Sequence, residues 1–246
     1  MQFTNEFGKK CQITEVIFPL VIKIKDKIQF LGTGFFIHSG GGFLTARHNF
    51  FDNDGKSIHA DIMAIDYRNK DECYFRKIDH FVAYKNQIDV CVGMLTGDIS
   101  EPEKQLINEK LTINTKKPNI GDKVATCAYP LNEVEQIDQT NFLGKFRIEL
   151  QQGEIVEHLP NGRDSSGLPY ECYQTSIRVE GGASGGPVID EHGYVIGINS
   201  RGLEAFGEPV SWITPITEIY NLRIPFLEDK SLAELKESGL FNFMEK

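Results

Sequence analysis

Short apolar runs separated by turn residues recur along almost the whole chain, and this rhythm is the strongest constraint on its fold. Residues 13–24 are rich in β-branched side chains, Asp26-Lys27 makes a polar turn, and residues 28–37 return through Gly32-Thr33-Gly34. That is hairpin chemistry. Further runs fall at 43–45, 58–65, 73–78, 90–95, 123–128, 145–151, 153–157, 173–177, 188–189, 195–200 and 210–214. Many short strands with turn signals between them indicate an all-β sandwich or barrel.

At 246 residues the chain is long enough for two six-stranded barrels packed together. The polar stretch from Gly97 to Gly121, with Glu101-Pro102-Glu103-Lys104 and Lys116-Lys117-Pro118, separates two groups of runs. The expected division is a first barrel over 13–100, a linker over 101–120, a second barrel over 121–222 and a tail over 223–246. Residues 215–222 are expected to form a short helix. Ser231-Leu232-Ala233-Glu234 has the form of a capping box that opens another, ended by Gly239. No internal repeat is visible.

Charge and cysteine content narrow the function classes. With 26 Lys+Arg against 35 Asp+Glu the net charge is -9, the opposite of a surface built to grip phosphate backbones, so nucleic acid is not expected as a partner. No stretch approaches the roughly 18 apolar residues of a membrane span, and the first residues lack the basic start and apolar core of a signal peptide. The five cysteines are odd in number and form no CxxC pair, which suits a reducing compartment. A cytoplasmic protein is expected. None of the six histidines has a metal-ligand spacing, so neither metal nor cofactor is expected.

Three residues carry the chemistry. Ser184 lies in Gly182-Ala183-Ser184-Gly185-Gly186-Pro187, His48 follows Thr45-Ala46-Arg47, and Asp89 opens the apolar run Val90-Cys91-Val92. A serine hydroxyl attacks carbonyls poorly until an imidazole takes its proton and a buried carboxylate holds that imidazole in the right tautomer. Glycines beside the serine let the backbone turn sharply and let a substrate approach. Asp52 and Asp54 lie too close to His48 in a turn, Asp61 and Asp66 fall nearer the middle of the first group of strands, and Asp79 has no apolar strand after it.

Gly32-Thr33-Gly34-Phe35-Phe36-Ile37, Leu44-Thr45-Ala46-Arg47-His48, the Asp89 strand and the string from Gly182 to Asp190 together resemble trypsin-like peptidases of the chymotrypsin fold. The style is closest to bacterial HtrA-type and other intracellular forms, and the likeness covers most of residues 15–222. It implies two six-stranded antiparallel β-barrels, with His48 and Asp89 in the first and Ser184 in the second. The chain order His, Asp, Ser is that of this fold. By the same resemblance His48 is the general base, Asp89 its orienting partner and Ser184 the nucleophile of an endopeptidase. The amides of Gly182 and Ser184 form its oxyanion hole. Arg178, Val179, Ser200, Arg201, Gly202 and Ser211 border the substrate pocket. About 24 residues follow Leu222, so no PDZ-like extension is expected.

The departures from secreted trypsins matter as much. Asn49 stands where they carry a cysteine after the histidine, Val179-Glu180 where another precedes the serine motif, and Ala183 where an aspartate receives the N-terminus freed by zymogen cleavage. Activation by N-terminal cleavage is therefore not expected. Trypsin's basal aspartate is absent. If Arg178 points into the pocket it favours an acidic residue before the scissile bond; if it points out, Val179 and the serines leave a small neutral slot. Expected partners are a restricted protein or peptide substrate and an activating or inhibitory protein. Two rival functions use the same residues: a binding module that has lost turnover, and an esterase for small acyl substrates.

Overall fold

The strand period of two sorts side chains onto opposite faces, and the first barrel strand shows the consequence. In β1 (Ile17–Ile24), Phe18, Leu20 and Ile22 enter the interior of a closed barrel, while Ile17 joins a second buried cluster outside it. Both faces are covered there, so the run reads as continuously apolar instead of alternating. The computed structural model describes residues 2–4, 10–24, 27–52, 54–58, 61–67, 73–83, 88–98, 106–130, 132–136, 142–165, 167–205 and 208–236.

Two closed six-stranded antiparallel barrels make up the molecule. The first contains β1, β2 (Lys27–Phe36), β3 (Gly42–Thr45), β4 (Asp61–Tyr67), β5 (Cys73–Ala83) and β6 (Cys91–Asp98), ordered β1-β2-β3-β6-β5-β4. Leu20 opposite Ala64 closes it. The second contains β7 (Lys123–Ala128), β8 (Glu149–Leu159), β9 (Cys172–Thr175), β10 (Pro187–Asp190), β11 (Val195–Ala205) and β12 (Glu208–Pro215), ordered β7-β8-β9-β12-β11-β10. The two strand orders are the same, a relation that no sequence repeat reveals.

Each barrel has its own core, and a third joins them. Phe18, Phe36, Phe43 and Phe50 fill the first, with the Phe18 and Phe36 ring centres 4.7 Å apart. Val124, Ile155, Tyr173, Val188 and Ile213 fill the second. Between the barrels, Phe35, Ile37 and Leu44 meet Cys127, Tyr129, Val195 and Ile198. Burying one such side chain is worth about 1.5–3 kcal/mol, so this third core locks the cleft between the barrels. The short α-helix Leu232–Lys236 and the 3-10 segment Ile216–Asn221 pack on it through Leu232, Leu235 and Ile219. The helix opens on a capping box: the Glu234 amide donates to Ser231 Oγ at 3.2 Å and the Ser231 amide to Glu234 Oε2 at 2.8 Å. Gly239 lies outside the described residues.

The connecting segment is less free than its composition suggests. The Asn108 amide donates to Ser39 O and the Leu111 amide to Phe36 O, while Ile113 bridges Val195 of the second barrel. Residues 106–114 thus lie across both barrels. Asn108 also accepts from Arg76, a fully buried guanidinium that pairs with Asp66 at 2.9 Å. Two further differences from the sequence reading concern β8, one strand where two runs were expected, and the hairpin Glu133–Gln136 with Phe142–Lys145, which was not expected at all.

Candidate active site

Sheet register brings the first two residues together. Thr45 at the end of β3 lies opposite Cys91 at the start of β6, so the chain just after one strand meets the chain just before the other. A 3-10 turn at Arg47–Asn49 follows Thr45, and it turns His48 toward Asp89. The carboxylate, 4% exposed, is used twice: Oδ1 accepts from the His48 amide at 3.0 Å and Oδ2 lies 2.8 Å from His48 Nδ1. This holds the ring proton on Nδ1 and leaves Nε2 with a free lone pair. Asp66, by contrast, faces Arg76, and Asp79 pairs with its neighbour His80 at the surface.

Burial works against protonation of His48, but the charge of Asp89 and its hydrogen bond outweigh it, so the pKa is raised above the usual histidine value. Arg201 and Arg47 pull it the other way. Both guanidinium groups are therefore close enough for the ring to feel their charge. Tyr170 feels the same three groups, and burial followed by Asp89 pushes its hydroxyl pKa well up.

The backbone around Ser184 is tied to the first barrel by three hydrogen bonds. The Thr33 amide and Asn49 Nδ2 donate to the Ser184 carbonyl at 2.8 and 3.2 Å, and Thr33 Oγ1 donates to the Gly182 carbonyl at 3.0 Å. The Tyr129 amide in turn donates to Thr33 Oγ1 at 3.0 Å. Gly32 is needed for this approach, because a Cβ there would overlap Asn49 Nδ2 and lie 2.7 Å from the Ser184 carbonyl. Ser184 thus sits beside the turn that carries His48, although no hydrogen bond joins its Oγ to His48 among the described residues. Free sites of this kind often tighten only on a ligand.

The loop ahead of Ser184 is a tight glycine turn. Ala183 N donates to Glu180 O at 3.1 Å across Gly181-Gly182, and Gly182 has φ 93°. A left-handed third residue after an ordinary second one makes a type II turn. Only glycine fits, since a Cβ would lie 2.5 Å from the Phe30 ring and 2.8 Å from the Tyr129 carbonyl. The amides of Gly182 and Ser184 have no acceptor among the described residues. Ala183 itself is buried, and its carbonyl accepts from Gly186 N.

The residues expected at the specificity pocket are placed less openly. Arg178 turns to solvent, 62% exposed, with Nε 2.8 Å from Glu180 Oε1. The Ser200 and Ser211 hydroxyls are buried and bonded to Thr214 and Thr175, each at 2.6 Å. Gly202 lies so close to Val179 that a Cβ there would overlap the Val179 carbonyl oxygen. Val179 and Gly202, both expected to border the pocket, are in contact. Arg201 is exposed.

Residues 32–198, more than half of the chain, match the family model for the trypsin-like peptidase domain. The chain belongs to this family. Among solved structures, this trypsin-like peptidase is similar to the HtrA-type protease AlgW with decapeptide, at 16% identity and TM-score 0.57 over 83% of its own residues. It spans 62% of the AlgW chain. The active form of the Rv3671c protease from M. tuberculosis gives 18% identity and TM-score 0.54, over 94% of this chain and 84% of that one. Identities this low speak for the shared fold alone. No curated protein sequence matches the chain.

The sequence reading overlooked Thr33, Asn49 and Tyr129 as supports of the Ser184 loop. The signal was present in Thr33, held between two glycines, and in Asn49 directly after His48. Cys91, Cys127 and Cys172 are buried, and burial raises the thiol pKa of the last two to about 11. No helix among the described residues is long and apolar enough to cross a membrane.

Proposed function

We propose that this trypsin-like peptidase is a serine endopeptidase acting through Ser184, His48 and Asp89. His48 Nε2 takes the Ser184 proton as Oγ bonds to the substrate carbonyl carbon, and the Gly182 and Ser184 amides receive the developing oxyanion. The C–N bond then breaks, His48 returns the proton to the leaving amine, and water repeats the sequence to release the acyl group. The observation that carries this reading is the double use of Asp89 on His48, one residue from an Asn49 side chain that donates to the Ser184 carbonyl.

Ala183 has no carboxylate to receive a freed N-terminus, and the Ser184 loop is held by Thr33 and Asn49 instead of by zymogen cleavage. The substrate is a restricted protein or peptide, and the cytoplasm suits the buried thiols of Cys91 and Cys172. Reaction with a fluorophosphonate, lost in Ser184→Ala and in His48→Ala, tests the assignment. Absence of labelling in the wild type would refute it.

A second reading, a binding module without turnover, is favoured by the contact between Val179 and Gly202 and by the missing bond from Ser184 Oγ to His48. Peptide binding by a protein that never labels would establish it.

A further inference from the structure

Four basic side chains border the cleft region, and their carboxylate partners are unequally distributed. Arg178 has Glu180 at 2.8 Å, and Arg163 has Asp164, whose carboxylate also receives the Gly167 amide. Arg47 lies over the Phe51 ring, 5.2 Å from its centre. Arg201 is different. It is exposed, and none of the ion pairs of the described residues includes it.

Its position is defined from two sides. Arg201 Nη1 and Arg163 Nη2 both lie within 3.2 Å of the point a Cβ would occupy at Gly167, so two guanidinium groups crowd a corner that holds one carboxylate. On the other side, β11 meets the Ser184 loop two residues before Arg201, where the Gly185 amide donates to the Asn199 carbonyl at 2.8 Å and the Asn199 amide to the Gly186 carbonyl at 2.9 Å, and the Arg201 charge acts on His48 and Tyr170. Along β11, Arg201 lies at a bulge between two inward-committed neighbours: the Ser200 hydroxyl is buried on Thr214, and Gly202 abuts Val179. Beyond Asn199 this strand pairs with β12 on one edge, whereas its pairing with β10 on the other edge ends at Ile198.

We infer that Arg201 selects substrates carrying an acidic side chain close to the scissile bond. Val179 and Gly202, expected to border the pocket, are in contact, so the charge that can discriminate is the unpaired one at the rim. A guanidinium offers a carboxylate two parallel N–H donors, and a neutral isostere such as Asn uses that fork poorly. Like-charge crowding by Arg163 adds to the effect, since an incoming carboxylate relieves it. The assignment is notable in a chain of net charge -9, whose overall field repels acidic peptides. It rests on the peptidase reading above and names the substrate class of the same site.

The test starts from a decapeptide library digested by the purified protein and read by mass spectrometry, which supplies one parent peptide. Asp, and separately Asn, is then placed at each position within four residues of the cut. One position is expected to favour Asp over Asn by about fivefold or more in kcat/KM at low salt, with the ratio falling as ionic strength rises. Arg201→Gln should bring the ratio to about one, Arg201→Glu should invert it and Arg201→Lys should retain a preference. Equal turnover of Asp and Asn peptides at every position, or a preference unchanged in Arg201→Gln, would overturn the inference. Binding of the same peptides to Ser184→Ala, followed by fluorescence anisotropy, reads the preference without turnover. Failure of hydrolysis and failure of the charge selection are thereby told apart.

Discussion

The Thr33 amide donates to the Ser184 carbonyl at 2.8 Å, and this single bond crosses 151 positions of sequence to join the two barrels at the candidate site. Thr33 is also placed to order what lies on either side. Its hydroxyl donates to Gly182 O and accepts from Tyr129 N, while its carbonyl accepts from Thr45 Oγ1 at 2.7 Å. The residue is fully buried, and its bonds to Tyr129 and Thr45 are shielded from water.

Thr33→Val keeps the shape and removes the hydroxyl, leaving the Tyr129 amide and the Gly182 carbonyl without partners. Thermal unfolding should show a loss of about 1–3 kcal/mol, the cost of an unsatisfied buried group. The rate of fluorophosphonate labelling should fall by more than this stability loss explains, because the turn that presents the Gly182 amide loses its anchor. Unchanged labelling would mean that the turn is ordered without Thr33.

Gly182→Ala tests the anion hole. A methyl group there meets the Phe30 ring and the Tyr129 carbonyl and opposes a φ of 93°. The expected result is a fall in kcat of about 10²–10³, the usual effect of losing one oxyanion donor. Circular dichroism should remain that of the wild type.

The pH dependence has a definite sign. A working base must be unprotonated, so activity should rise with pH through the His48 pKa, which lies above the ordinary value of 6.5. Asp89→Asn removes the charge that raises it, so the limb should move to lower pH while kcat drops by about 10⁴. Histidine NMR titration gives the pKa directly. For stability, protonated His48 is favoured in the folded state below its unfolded pKa, and this contribution is lost as pH rises through the raised folded value.

Arg76 is predicted to matter for folding alone. Its guanidinium is 2% exposed and pairs with Asp66, 1% exposed, so Arg76→Ala strands a buried carboxylate and should cost about 3–5 kcal/mol. Chemical denaturation measures this. Replacing both partners by apolar residues of similar volume should recover most of the loss.

What could be read in advance divides along a physical line. The strand runs, the capping box at Ser231 and the division into two groups of strands follow from local patterning, which depends on side chains a few residues apart. Errors arose where locality failed. Two runs, 145–151 and 153–157, were expected, yet β8 runs through Gln152 and Gly153 because their backbone pairs with Ala125 and Val124 of β7. The stretch 101–120 was expected as the linker between barrels, and burial of Asn108, Leu111 and Ile113 within it is a feature that only the fold supplies. Arg76 stands within the run 73–78, and only the fold supplies its buried partner Asp66.

The same division holds at the candidate site. By itself the sequence determined which residue types can do the chemistry, because His48, Asp89 and Ser184 stand in motifs whose spacing is local. Only the tertiary structure decided what surrounds them. Whether Arg178 or Arg201 keeps a free charge depends on where Glu180 and Asp164 lie. Whether the walls at Val179 and Gly202 stand open depends on how two segments of one barrel pack. Distances between residues far apart in sequence are fixed by strand register and core packing, and one-dimensional patterns do not encode them residue by residue.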